Sequence, residues 1–374
     1  MTRMLFLHSG PWSGIAPALL RAWRAGSPEV AVKSVELLPP WRRGLGGILR
    51  TLPYALVRGG PSVLLRGKGR FTDAVKYSVR FLEDRRRLVD RIVRDTEFDF
   101  VLHIGTVGPL GQLTRPYFVY TDHPVLANLY LPGGEERVEH RKDRLPYERK
   151  TLEGARLVFS MSSYASRAFR EQYGVPAEKI VCVRAGCNVP VSERYDPRRF
   201  ESQNILFVGL DWERKGGPQL VEAFMRVRRR CPRATLTVVG ADPDIDVPGV
   251  EVVGRVPQRQ VSDYLGKAAV FCMPTRREAF GIVYLEAMRA GLPVVATDIC
   301  AIPDFVLEGQ TGHRVSVDDV DSLAERLEQL ISDPQECRRM GERGRALVES
   351  KYTWARTQQM MWAAIRSALQ SESA

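Results

Sequence analysis

The run from Ala269 to Ala287, Ala-Val-Phe-Cys-Met-Pro-Thr-Arg-Arg-Glu-Ala-Phe-Gly-Ile-Val-Tyr-Leu-Glu-Ala, admits few local folds. Its first five residues form an apolar stretch of strand length, and Pro274 stops it. A helix is expected from about Gly281, closing at Gly291 with Pro293 two residues beyond, where a second apolar strand begins. Glu278 then sits on the loop, and Glu286 lies one to two turns into the helix, roughly 7–8 Å along its axis at about 1.5 Å per residue. Between the two carboxylates the helix N-terminus presents free N–H groups and a partial positive charge. A nucleoside-diphosphate sugar suits that layout, with diphosphate at the helix end, sugar hydroxyls on one carboxylate and ribose hydroxyls on the other.

The same strand–helix alternation runs through all 374 residues, which argues for open α/β sheets and for two domains. In the first half, strands are expected at Met4–His8, Val30–Leu37, Asp99–Ile104, Tyr117–Thr121, Leu157–Ser160 and Lys179–Val183. Helices fall at Ile15–Arg24, Asp73–Arg94, Pro146–Leu152 and Ala165–Tyr173. A second block begins with Asn204–Gly209 and continues through Thr235–Gly240, Glu251–Gly254, Ala269–Met273 and Pro293–Thr297. The polar stretch Pro190–Gln203 between the blocks is the candidate linker, and a last helix is expected around Trp354–Leu369.

The Glu, seven residues, Glu arrangement, with Phe280-Gly281 after the first and Glu286-Ala287-Met288 at the second, resembles the retaining glycosyltransferases of family 4. Gly291-Leu292-Pro293-Val294-Val295-Ala296-Thr297 is similar to that family's next loop and strand, and Glu308-Gly309-Gln310-Thr311-Gly312 to its following turn. The resemblance implies the GT-B fold class: α/β, two facing Rossmann-like α/β/α domains with the active site in a cleft between them. The expected division is an acceptor-side domain over 1–197, a nucleotide-sugar domain over 203–352, and a C-terminal helix over 353–374 that crosses back to the first domain.

Gly209-Leu210-Asp211-Trp212-Glu213-Arg214-Lys215-Gly216-Gly217 opens the second domain, between a strand and a helix. Arg forks two phosphate oxygens and Lys acts as a point charge, so both can reach a diphosphate and offset the charge that builds as it departs. The family holds its phosphate-binding cations here, and Arg214 and Lys215 match them. Many members carry Arg directly after the strand glycine, where this chain has Leu210, and Gly-Gly where it has Cys300-Ala301. Gly254-Arg255-Val256 occupies the strand end that holds the nucleobase in the family, through backbone groups that do not reveal the base. Asp242-Pro243-Asp244 reads as a solvated turn rather than a metal site.

In the first domain, Ser9–Gly14 is a glycine-bearing loop placed to approach the donor through Gly10 and Gly14. Tyr120-Thr121-Asp122-His123 is similar to the family's cleft histidine, which contacts the transferred sugar; His103 and His8 are rivals, each explained by a satisfied buried ring. Between Trp41 and Arg87 stand twelve basic residues against Asp73, Glu83 and Asp84, a net of +9 out of the chain's +11. Leucines and valines interleave with them, which suits an anionic membrane surface. No recognisable nucleic-acid reader accompanies the charge, so nucleic acid is not an expected partner.

At 44% hydrophobic and 26% charged, the composition is that of an ordinary globular protein, and no apolar run reaches the eighteen residues of a membrane span. The first ten residues read as a strand rather than a secretory leader. The six cysteines form no Cys-x-x-Cys pair, which suits reduced thiols in a cytoplasmic enzyme, peripheral on the inner membrane face if the basic segment docks there.

The expectation is a hexosyltransferase, retaining as the resemblance implies, that uses a UDP-, GDP- or ADP-linked sugar, without a cofactor or obligatory metal. Its acceptor would be a glycan, lipid or small molecule, as in a cell-envelope glycolipid, polysaccharide or glycoconjugate precursor. Arg214 and Lys215 would stabilise the departing diphosphate, Glu278 would position the sugar, and His123 would shape its site. Gly10, Gly14, Gly209, Arg255, Val256, Phe280, Gly281, Ile282 and Glu286 would bind the donor. The alternatives are a non-catalytic sugar-nucleotide-binding relative and a basic membrane-surface adaptor.

Overall fold

The computed structural model describes residues 1–10, 14–37, 79–106, 110, 113–188 and 196–371. The chain forms two compact units: Met1–Val183 joined by Thr357–Ala374, and Arg184–Arg356.

The first unit is built on six strands: β1 (Thr2–His8), β2 (Val30–Glu36), β3 (Phe100–Ile104), β4 (Tyr117–Thr121), β5 (Leu157–Ser160) and β6 (Ile180–Cys182). They form one parallel sheet in the order β2-β1-β3-β4-β5-β6. Strands β3 and β4 are buried at every position, largely apolar with His103 and Thr121 among them, as strands covered on both faces are. The helices are α1 (Ile15–Gly26), α2 (Val79–Arg94), α3 (Gly134–Glu139), α4 (Leu145–Gly154) and α5 (Ser163–Tyr173). The N-terminal part of the expected Asp73–Arg94 helix, and most of the basic segment 41–87, lie outside the described residues.

One sheet face is covered by aromatic side chains. Phe100 meets Phe118 edge-on at 5.7 Å, and Phe118 stacks on Phe159 at 6.1 Å. The last helix of the chain, α11 (Trp354–Gln370), lays Trp362 on the same face, stacked on Phe100 at 6.1 Å and edge-on to Trp23 at 5.9 Å. Its polar atoms are anchored too: Trp362 Nε1 donates to Glu29 Oε1 at 2.6 Å and Gln358 Nε2 to Ser27 Oγ at 2.8 Å. The tryptophan and glutamine thus give a terminal helix both burial and direction.

The second unit holds β7 (Asn204–Gly209), β8 (Thr235–Gly240), β9 (Val250–Gly254), β10 (Val270–Met273), β11 (Val294–Thr297) and β12 (Gly312–Val315). All pair in parallel, in the order β12-β11-β10-β7-β8-β9. This is the doubly wound order, which reverses direction between β7 and β10. The helices are α6 (Gly217–Arg230), α7 (Val261–Lys267), α8 (Ile282–Arg289), α9 (Val320–Ser332) and α10 (Pro334–Lys351). The turn expected at Glu308–Gly312 delivers the edge strand β12, and α9 and α10 are additions to the sequence reading.

Part of the stretch expected to be a polar linker is packed. Residues Pro197–Ser202 form a 3-10 turn in which Arg199 and Phe200 are buried. The Arg199 guanidinium donates to Ala290 O at 2.6 Å and to Gly291 O at 3.1 Å, the carbonyls just beyond the C-terminus of α8. A cation there satisfies carbonyls that lack helical partners and opposes the helix dipole. Replacing Arg199 by Ala is expected to destabilise the protein by about 3 kcal/mol, because buried carbonyls lose a charged donor. Urea unfolding checks this, with Arg199→Lys recovering part of the loss.

Candidate active site

In doubly wound sheets, ligands bind beyond the strand C-termini where the order reverses. In the second unit that point lies between β7 and β10, and the loops leaving these two strands carry Arg214, Lys215 and Glu278. The two loops are tied together. Arg276 N donates to Arg214 O at 2.9 Å, and the Thr275 hydroxyl donates to the same carbonyl at 3.2 Å. In return Arg214 Nη1 donates to Arg277 O at 2.9 Å. Gly216 caps α6 at φ 76°, and a Cβ on it would overlap the Pro274 carbonyl. Only glycine allows both that backbone conformation and that approach.

This close approach brings Lys215 Nζ onto Glu278 Oε2, in an ion pair between residues 63 apart in sequence. Both side chains are 12% exposed, so the pair is largely withdrawn from water yet reachable from it. The second carboxylate oxygen, Glu278 Oε1, accepts from Ala279 N at 3.1 Å. Arg214 is arranged differently. Its Nε donates to Asp211 Oδ2 at 2.7 Å, so the guanidinium braces the turn as well as carrying charge. Burial pushes the Asp211 carboxyl up, but the hydrogen bond and charge of Arg214 outweigh it and hold the group below its ordinary range. Gly209 ends β7 just before this turn, with Lys215 Cγ 3.3 Å from where its Cβ would be.

Gly281 is the N-cap of α8 at φ 88°, and a Cβ there would come within 2.6 Å of the Tyr284 ring. The ring is fully buried, and its hydroxyl donates to Met273 O at 2.7 Å, pinning the helix to the end of β10. Phe280 and Tyr284 both pack on Phe305, at 5.7 and 6.0 Å. The Thr297 hydroxyl donates to Thr275 O at 2.6 Å from β11. The N–H groups of the first turn, Ile282 included, therefore have fixed positions beside Glu278. Glu286 is 6% exposed on the same helix and accepts from Asn188 N at 3.4 Å. Cys300 has φ 53°, in the left-handed region that favours glycine, at one of the positions where the sequence departs from Gly-Gly.

The structure thus gathers Gly209, Arg214, Lys215, Glu278, Phe280, Gly281, Ile282 and Glu286 around the β7 and β10 loops and α8. Arg255 and Val256 leave β9, two strands across from β7; Arg255 is exposed and Val256 half-buried. Asp242 and Asp244 are exposed in their turn. Among the described residues, no group of three His, Cys, Asp or Glu stands together as metal ligands would. The supporting residues Asp211, Thr275, Tyr284 and Thr297 escaped the sequence reading; the Thr-x-x-Glu before Phe-Gly was the available signal for one of them.

In the first unit, Gly10 and Gly14 both take positive φ, 94° and 80°, on the loop after β1, whose residues 11–13 lie outside the described set. His123 follows β4 and is half-buried. Its ring lies parallel to Tyr164 at 5.8 Å. Burial lowers its pKa to about 4, against the hydrogen bond of Asn128 and with help from Arg141. His103 is fully buried on β3, where burial and the nearby Arg85 charge lower its pKa to about 3. Among the described residues, neither of its ring nitrogens has a hydrogen-bond partner, which departs from the expectation of a satisfied ring. His8 Nδ1 lies 3.1 Å from Gly10 O.

Comparison with known proteins agrees with the geometry. A model described as "Glycosyltransferase Family 4" matches residues 49–189, and one described as "Glycosyl transferases group 1" matches residues 202–333. Over 159 residues the chain is 35% identical to the GDP-mannose-dependent alpha-(1-6)-phosphatidylinositol monomannoside mannosyltransferase of Mycolicibacterium smegmatis, covering 38% of this chain and 42% of that protein. It is 36% identical over 155 residues to the phosphatidyl-myo-inositol mannosyltransferase of Propionibacterium freudenreichii, covering 40% of each. The matched region thus spans about two-fifths of these curated relatives.

Among solved structures, sucrose-phosphate synthase from Thermosynechococcus elongatus superposes with a TM-score of 0.73 at 17% identity, covering 99% of this chain and 100% of that one. Anabaena HepE, solved with UDP and glucose, gives 0.65 at 16%, covering 98% and 100%. At such identities the likeness concerns the fold, which is the α/β GT-B class with two Rossmann-like units. With the two family models matching successive stretches of one chain, the protein belongs to the family 4 glycosyltransferases.

Proposed function

We propose that the protein transfers a hexose from a nucleoside-diphosphate sugar to an acceptor hydroxyl, with retention at the anomeric carbon. The observation that carries this reading is the Lys215–Glu278 pair at the switch point, beside the N-terminus of α8. Lys215 takes the departing diphosphate, with Arg214 adding charge from the braced turn. Glu278, released from Lys215, accepts from sugar hydroxyls. The amides at Phe280, Gly281 and Ile282 meet phosphate at the helix end, and Glu286 holds the ribose. Fixed donors and cations of this kind stabilise charge as it develops without reorganising. No metal is invoked, because Arg214 and Lys215 supply the positive charge. Gly209, Arg255 and Val256 line the nucleotide side, Gly10 and Gly14 approach the donor through backbone, and His123 shapes the sugar site.

The named mannosyltransferase relatives favour GDP-mannose as donor and a lipid-linked acceptor. The basic segment 41–87 adds an anionic membrane surface to this proposal on its charge alone; no described helix is long and apolar enough to cross a membrane.

Two measurements test the reading. GDP, UDP and ADP are compared for thermal stabilisation of the wild type and of Glu286→Ala. A ligand at about a hundred times its dissociation constant adds about 2.7 kcal/mol, and one base should stabilise only the wild type. Absence of a shift with any nucleotide overturns the proposal. In the second, Lys215→Met should lower turnover about a hundred- to a thousandfold. It also strands the Glu278 carboxylate, at a cost of about 3 kcal/mol. The double variant Lys215→Met/Glu278→Gln should recover stability while staying inactive. Recovered turnover would remove the cation from the mechanism.

A further inference from the structure

The chain just after His123 is held by side chains at three successive residues. Val125 N donates to Glu148 Oε2 at 2.9 Å, and Leu126 N donates to the Tyr173 hydroxyl at 3.0 Å. The Tyr164 hydroxyl donates to Ala127 O, while its ring lies parallel to that of His123. Tyr173 in turn donates its own proton to Glu148 Oε2. One carboxylate oxygen therefore governs two successive amides, one directly and one through a phenol. The other oxygen, Oε1, accepts from the Thr106 hydroxyl and from Arg144 Nη2, the latter at 3.2 Å.

Glu148 is completely buried, and Arg144 is 13% exposed. Apolar residues of similar volume in place of such a pair are often neutral or stabilising, so a buried ion pair is weak evidence of a stabilising role. What a carboxylate supplies and leucine does not is direction: it fixes where amide protons point. Here those amides belong to the turn that leads out of His123 and Pro124. Asn128 adds to the same turn by donating from Nδ2 to Val125 O at 2.7 Å.

We propose that Glu148 is a positioning residue for His123, acting through Val125 N and, by way of Tyr173, through Leu126 N. The role rests on the reading of His123 as the histidine of the sugar site. Glu148 touches no reacting atom; it sets the ring that does. Burial keeps that ring neutral, so its placement rather than its charge is what the clamp has to secure.

The test uses the full chain with carbon-13 in its five histidine rings, the His123 signal being assigned by its loss in His123→Ala. Glu148→Gln keeps an oxygen for Val125 and Tyr173. Its His123 signal should stay in place, and kcat should remain within about threefold of wild type. Tyr173→Phe removes the acceptor for Leu126 and should displace the signal, lowering kcat about ten- to a hundredfold with donor KM unchanged. Glu148→Leu, where it folds, should do the same. A wild-type signal in Tyr173→Phe or in folded Glu148→Leu overturns the proposal. So does a displacement in Glu148→Gln as large as in Tyr173→Phe, which would make the charge and the Oε1 contacts with Thr106 and Arg144 the operative property. Normal turnover in His123→Ala overturns the reading of His123 instead, and the signal comparison still decides the positioning.

Discussion

The second unit is organised by the contact between two loops that leave adjacent strands. A backbone hydrogen bond from Arg276 N to Arg214 O and side-chain donors on both loops join the β7 loop to the β10 loop, and Gly216 lies against Pro274 at a distance that no Cβ permits. Much of the site's arrangement depends on that contact. It sets Lys215 against Glu278 and fixes where α6 begins, at Gly216. Charges held this way need little rearrangement when a ligand carrying phosphate and hydroxyl groups replaces one partner with another.

The two units secure their candidate residues by different means. In the second, direction comes from backbone: helix N-termini, a left-handed glycine and interlocked loops, with Tyr284 and Thr297 reaching backbone carbonyls from below. In the first, the turn after His123 is directed by buried side chains from α4 and α5, with Glu148 at their centre. A backbone device tolerates exchange of most neighbouring side chains but not of its glycines. A side-chain device depends on every member keeping its donor or acceptor.

Much of the architecture was legible because buried parallel strands are short apolar runs punctuated by Gly and Pro, as at Ala269–Met273 and Asn204–Gly209. The Glu278–Glu286 spacing placed one carboxylate on a loop and the other on a helix, as observed. Strand β12, which follows the expected turn at Glu308–Gly312, was not foreseen because its four residues, Gly-His-Arg-Val, carry almost no apolar signal; pairing with β11 decides their state. Arg199 looked like part of a polar linker, since nothing local announces that its partners are carbonyls 66 to 92 residues away. Glu148 was invisible for the same reason. Its donors come from four separate segments, and no spacing in one sequence encodes such a convergence. Arg214 and Lys215 were both assigned to the diphosphate, and the structure separates them: Asp211, three residues away, engages Arg214 and leaves Lys215 to face Glu278.

The Lys215–Glu278 pair has a consequence for how solution conditions act on the site. Each charge has its counterion supplied by the chain itself, and both are shielded from bulk water. A ligand that takes Lys215 with its phosphate and Glu278 with its hydroxyls exchanges one set of fixed partners for another. Few dissolved ions are displaced in that exchange, unlike the shedding of condensed ions that makes binding in an open basic groove fall steeply with salt. On the proposed reading, donor affinity governed by this pair would be buffered against ionic strength, while any association through the exposed arginines of α2 would not.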